Sequence, residues 1–199
     1  MRTPRRLALA TAAAAAVLVL VGCSNQQPGS AATFGEGRIT ESQLAAEVAE
    51  VQAAAGETVD APNSELVSNV LHRMLVLDLV DLLAQEKGIE VTQGEIDSQM
   101  TAFRGQFGTQ EQVEANFIGS GIAPSQIEDV AVFNVQAKKL GELLAPGGAP
   151  EQQSTAVVQA VATFSTDLGT EVSPRYGVWD PAQLQIAPGG DDLSAPPAG

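Results

Sequence analysis

Between Asn63 and Lys87 the chain carries apolar side chains on most sides of the helix that would be wound from it. Leu66, Val70, Leu71, Met74, Leu75, Leu77, Leu79, Val80, Leu82 and Leu83 leave little polar face, and a helix apolar nearly all round has to be enclosed by others. Pro62 in front and Gly88 behind set its ends. This segment is therefore predicted to be the central buried helix of a mainly α fold.

The surrounding chain supplies partners for it. Thr40-Glu41-Ser42-Gln43 reads as a capping box, followed by a face of Leu44, Val48, Val51 and Ala55. Thr92-Gln93-Gly94-Glu95 is a second box, leading into a helix with Ile96, Met100, Phe103 and Phe107 that Gly108 ends. Thr109 opens a short helix through Phe117, and Pro124 opens another. In the latter, Ile127, Val130, Phe133, Ala137, Leu140 and Leu144 alternate three- and four-residue spacings, the seam of a helix packed lengthwise on a neighbour. A last helix over 151–168 carries Val157, Ala160, Val161, Phe164 and Leu168 on one stripe. The expectation is a bundle of about six helices. Short extended pieces, Ala32-Thr33-Phe34 and Glu171-Val172-Ser173, flank it and are expected to pair, bringing the ends of the folded part together.

Cys23 is the sole cysteine, so no intrachain disulfide can form. It follows Arg2, Arg5 and Arg6, an apolar run Leu7 to Val21, and Gly22, which is the layout of a secretory signal. The run is shorter than the roughly 20 apolar residues needed to span a bilayer. The segment resembles the lipobox of bacterial lipoproteins, which implies cleavage before Cys23, acylation of its thiol and anchoring on the extracytoplasmic face of the cell membrane. Two acyl chains hold a protein stably where one gives only marginal residence. The expected organisation is a signal peptide over 1–22, a flexible tether over 23–32, a folded domain over 33–180, and a disordered Pro/Gly-rich tail over 181–199.

Charge narrows the partners. The whole chain has a formal net charge of −14. Removing residues 1–22 takes three of the ten Lys+Arg and none of the 24 Asp+Glu, which leaves −17. Nucleic acid requires a basic stripe that the sequence lacks, and an anionic membrane surface would repel the domain, so the lipid must do the anchoring. The acidity favours solubility and clients that are basic or mixed in charge.

The order of parts is similar to the N-terminal chaperone domain of SurA-type and PrsA-type folding factors, in an actinobacterial lipoprotein-like form. The resemblance rests on Phe34-Gly35-Glu36-Gly37-Arg38-Ile39-Thr40, on Val70-Leu71-His72-Arg73-Met74-Leu75 within the long helix, and on Gly88-Ile89-Glu90-Val91-Thr92 before Glu95-Ile96. Gly121-Ile122-Ala123-Pro124 and the ending Val172-Ser173-Pro174-Arg175-Tyr176-Gly177-Val178-Trp179-Asp180 complete it. Ser173 stands where an asparagine is expected. Relatives often insert a parvulin prolyl-isomerase domain after the helix that here ends near Leu144, and this chain offers only Ala145 to Pro150. An enzymatic role is therefore not expected.

Other chemistry lacks its residues. One histidine and one cysteine do not make a zinc site, and the carboxylates lack the spacing of a calcium loop. His72 lies inside the long helix and reads as a partly buried or helix-edge residue. Asp78 and Asp81 interrupt that helix and either face a groove or, as the favoured reading, are solvated or paired with Arg73 and Lys87. No cofactor or metal is expected. The resemblance implies an ATP-independent chaperone or peptide-binding module for unfolded or partly folded exported polypeptides, with Met100, Phe103, Phe107 and Phe117 as groove candidates or, alternatively, core. The other reading is an adaptor lipoprotein docking one folded envelope partner. Pro174, Arg175, Tyr176 and Trp179 are assigned to a structural clamp, with the guanidinium against an aromatic face.

Overall fold

A computed structural model describes residues 28–56 and 63–188. Among them are six α-helices and five short strands, in the order β1 (Ser30–Phe34), β2 (Gly37–Thr40), α1 (Glu41–Ala54), α2 (Ser64–Glu86), α3 (Gln93–Phe107), α4 (Gln110–Gly119), α5 (Ile127–Leu144), α6 (Pro150–Asp167), β3 (Glu171–Val172), β4 (Val178–Asp180) and β5 (Gln185–Ala187). The fold is mainly α, as the helical periodicities predict.

The helix starts follow the sequence signals. Thr40 Oγ1 accepts from Gln43 N at 3.2 Å while Thr40 N donates to Gln43 Oε1 at 2.8 Å. Asn63 Oδ1 accepts from Glu65 N and Leu66 N at the start of α2. Thr92 N donates to Glu95 Oε2 at 2.9 Å. Each arrangement satisfies amides of the first turn that have no partner within the helix.

Helix α2 is the axis of the molecule. Val70, Leu71, Leu75 and Leu79 are fully enclosed, and they share one core with Leu44, Val48, Leu140, Val161 and Trp179. Burying side chains of this size contributes about 1.5–3 kcal/mol each. Helices α5 and α6 approach closely at Gly141, where an added Cβ would stand 3.0 Å from Gln153 Cβ. Helix α3 is tied to α5 by Lys139, whose Nζ lies 2.6 Å from Glu95 Oε1 and donates to Glu90 O at 2.7 Å.

The expected pairing of chain ends is present. Strand β1 lies between β2 and β3, antiparallel to both, with Ala32 opposite Val172 and Thr33 opposite Glu171. The limits of the folded part differ from the expected 33–180. Ser30, Ala31 and Ala32, assigned to the tether, are buried in β1, which is paired on both edges by β2 and β3. At the other end, Gln185–Ala187, assigned to the tail, pairs with β4 as β5. Asp180 starts the intervening turn by accepting from Ala182 N at 2.9 Å, and Leu184, at φ 49°, ends it. Cys23 and residues 189–199 lie outside the described residues. No helix among the described residues is long and apolar enough to cross a membrane.

Candidate functional site

Helices α2 and α5 each present the same four-residue stripe to a shared cleft. On α2 it is Met74, Leu77, Asp78 and Asp81, and on α5 it is Asp129, Val132, Phe133 and Gln136. Both run i, i+3, i+4, i+7, which is one face of a helix. Helix α1 adds Gln43 and Glu47, and β2 adds Arg38 and Ile39. The cavity between them has a volume of about 410 Å³, within the range of about 300–1,000 Å³ that suits a ligand or a few side chains.

Apolar groups make the floor of this cleft and charges its rim. Ile39 is buried, Met74 and Phe133 are half-buried against the core, and Leu77 and Val132 are half-buried in the cleft lining. Four carboxylates line the cleft against one lining guanidinium, that of Arg38. Two of the four carry structural bonds. Glu47 pairs with Arg73 at 3.2 Å, and Asp81 accepts from Gln136 at 2.7 Å and from Gln85 at 2.6 Å. Asp78 differs, because burial, then the Asp81 carboxylate, then that of Glu47, push its pKa up to about 6. A half-buried carboxylate whose neighbours are like-charged favours either a proton or a cation brought by a ligand.

This arrangement overturns the ion-pair part of the favoured reading of Asp78 and Asp81 and leaves their partial solvation standing. Arg73 turns toward Glu47, Gln126 and the Gly121 carbonyl, and burial lowers its pKa. Lys87 pairs with its neighbour Glu86. Neither cation is available to the aspartates, since Arg73 binds α1 and the turn before α5 to α2. Asp78 and Asp81 line the cleft and stay partly exposed.

The aromatic groove candidates lie elsewhere. Phe103 and Phe117 are buried at 5.1 Å between ring centroids, and they form a second core with Val113, Ile127 and Ala131, against which Met100 and Phe107 pack. All four fill the space enclosed by α3, α4 and the start of α5. Ile96, Ile122 and Val130 pack against the same cluster, so the four form part of a continuous second core.

Of the residues assigned to a clamp, Arg175 and Tyr176 meet, and Trp179 is tied separately to α6. Arg175 stands 5.2 Å from the Tyr176 ring centroid and bonds Glu41 Oε1 at 2.7 Å. Trp179 is buried and donates from Nε1 to Ser165 Oγ at 2.8 Å. Gly177, at φ 133°, brings β4 so close to β5 that a Cβ there would collide with the Ala187 carbonyl. His72 is half-buried, and its Nε2 donates to the Leu184 carbonyl at 2.7 Å, so it serves the same closure.

What the sequence reading missed is the cleft as a unit. Its signal is a pair of stripes with the same spacing, each mixing acidic and apolar residues, which only becomes visible once α2 and α5 are known to be neighbours. Comparison with protein-family models, with curated proteins and with solved structures finds no match to this chain.

Proposed function

We propose that this protein is a peptide-binding, ATP-independent chaperone for exported polypeptides, tethered through a lipid on Cys23 to the extracytoplasmic face of the membrane. The single observation that carries the peptide-binding part is the cleft between β2, α1, α2 and α5, with its apolar floor and four-carboxylate rim. An unfolded segment buries apolar side chains on such a floor, while the acidic rim keeps copies of the protein apart. The methionine at Met74 adapts to varied shapes, since a thioether is unbranched and flexible. The expected mode is weak and reversible.

The site within this proposal is the cleft in place of the aromatic cluster of α3 and α4. The test is fluorescence anisotropy with full-length protein in detergent against a panel of unfolded peptides and one folded control. Micromolar binding to several apolar sequences that compete with one another supports the reading. Absence of binding across the panel refutes it and favours docking to one folded envelope partner.

A further inference from the structure

The proposed client site carries an asymmetry of charge that an apolar groove alone does not need. Its walls bring Glu47, Asp78, Asp81 and Asp129 from three helices around five apolar side chains, with Arg38 the lining cation. Glu47 and Asp81 are held by Arg73, Gln136 and Gln85. Asp78 occupies the middle of the α2 stripe, one turn from Met74 on one side and near one turn from Asp81 on the other.

We propose, resting on the peptide-binding reading, that the cleft selects extended segments in which a lysine or arginine stands next to bulky apolar residues, the cation meeting Asp78 and the apolar neighbours meeting Leu77 and Phe133. Charge complementarity argues for this occupant. A neutral apolar segment would leave the half-buried Asp78 carboxylate facing Asp81 and Glu47 under a covering that removes water, which is unfavourable. A segment with one cation supplies the missing charge at the same moment as it excludes the water. The cavity of about 410 Å³ has room for the cation and its immediate neighbours and not for a folded surface element. The raised pKa of Asp78 adds a consequence, because protonation near pH 6 removes the charge that recognises the ligand. The charged and titratable groups that share the cleft with Asp78 are Asp81 on its own helix, Glu47 on α1, Asp129 on α5 and Arg38 on β2, and Asp81 and Glu47 are the ones that push its pKa up beside burial.

The test uses full-length protein in detergent and a fluorescein-labelled octapeptide, Gly-Ser-Leu-Lys-Phe-Leu-Ser-Gly, beside analogues with norleucine or glutamate at the lysine position. The lysine peptide is expected to bind about tenfold tighter than the norleucine peptide at pH 7.5, the scale of one partly desolvated charge pair. Asp78→Asn, and separately a drop to pH 5 with the native chain, are each expected to reduce that ratio to about threefold or less while leaving norleucine-peptide affinity unchanged or improved. Asp129→Asn serves as a second variant of the rim. Equal binding of lysine and norleucine peptides overturns the selectivity and leaves peptide binding standing, whereas failure of all peptides removes the underlying reading too. Displacement of the lysine peptide by micromolar calcium would reassign the carboxylates to a metal and overturn the proposal.

Discussion

The raised pKa of Asp78 makes its ionised carboxylate a cost to the fold at neutral pH. Its carboxyl has a pKa of about 6 in the folded protein against 3.8 for an unperturbed aspartate, so between those values the folded state binds the extra proton. Stability from this group therefore falls as pH rises from about 4 to about 6, and the full cost is present above that window. Replacing it by asparagine removes the cost. Asp78→Asn is expected to stabilise the protein by about 1–2 kcal/mol at pH 7.5, after allowance for solvent screening of a half-buried group, with no gain at pH 4. Thermal unfolding of both proteins at the two pH values checks this, and a loss of stability at pH 7.5 would contradict it. Trp179 is the opposite case. Its indole is buried and bonded to Ser165, so Trp179→Ala is expected to cost about 3–5 kcal/mol. Ser165→Ala, which leaves a buried indole N–H without that partner, is expected to cost about 1–3 kcal/mol. Denaturant titration measures both, and unchanged midpoints would refute the clamp.

At the scale of elements, the hairpin of β4 and β5 closes the molecule over α2 and α6. Three ties hold it: the Trp179 bond to Ser165, the His72 bond to the Leu184 carbonyl, and the packing of Leu184 and Ile186 on the main core. Truncation after Asp180 removes β5 and two of those ties, so it is expected to lower the melting temperature, and truncation after Leu168 to lower it further. Calorimetry of the two truncated proteins checks the order. The helices were legible in the sequence because their caps and apolar spacings are local: Thr40 with Gln43, Asn63 before α2 and Gly108 after α3 act within a few residues. The outer strands were less legible. Ser30-Ala31-Ala32 reads as linker since small residues carry no hydrophobic signal, and Gln185–Ala187 sits among Pro and Gly residues that suggest a tail. Their burial or pairing depends on partners far along the chain, which no local pattern encodes. The cleft was hidden for the same reason, while Phe103 and Phe117 could be read as groove or as core because the second core that takes them is built from three separate segments.

At the scale of the whole molecule, the described residues form two apolar cores of unequal size, joined along α5. The main one surrounds α2, and the smaller one consists of Phe103, Val113, Phe117, Ile127 and Ala131 with their half-buried neighbours. Fewer buried contacts mean earlier local opening. Amide exchange is therefore expected to be faster in α3 and α4 than in α2, and Phe117→Ala is expected to widen that gap at a cost of about 3–5 kcal/mol. Uniform protection across all helices would contradict it. Such an arrangement leaves the proposed client cleft framed by α1, α2 and α5 beside the larger core, and leaves the aromatic residues of α3 and α4 in the smaller one. The most direct measurement is to photocrosslink the lysine-bearing octapeptide, carrying a benzophenone in place of phenylalanine, to full-length protein and to map the adducts by mass spectrometry. Adducts on Met74, Leu77, Val132 or Phe133 are the expected result. Adducts confined to Met100, Phe107 or other residues away from the cleft, or none at saturating peptide, would contradict the account.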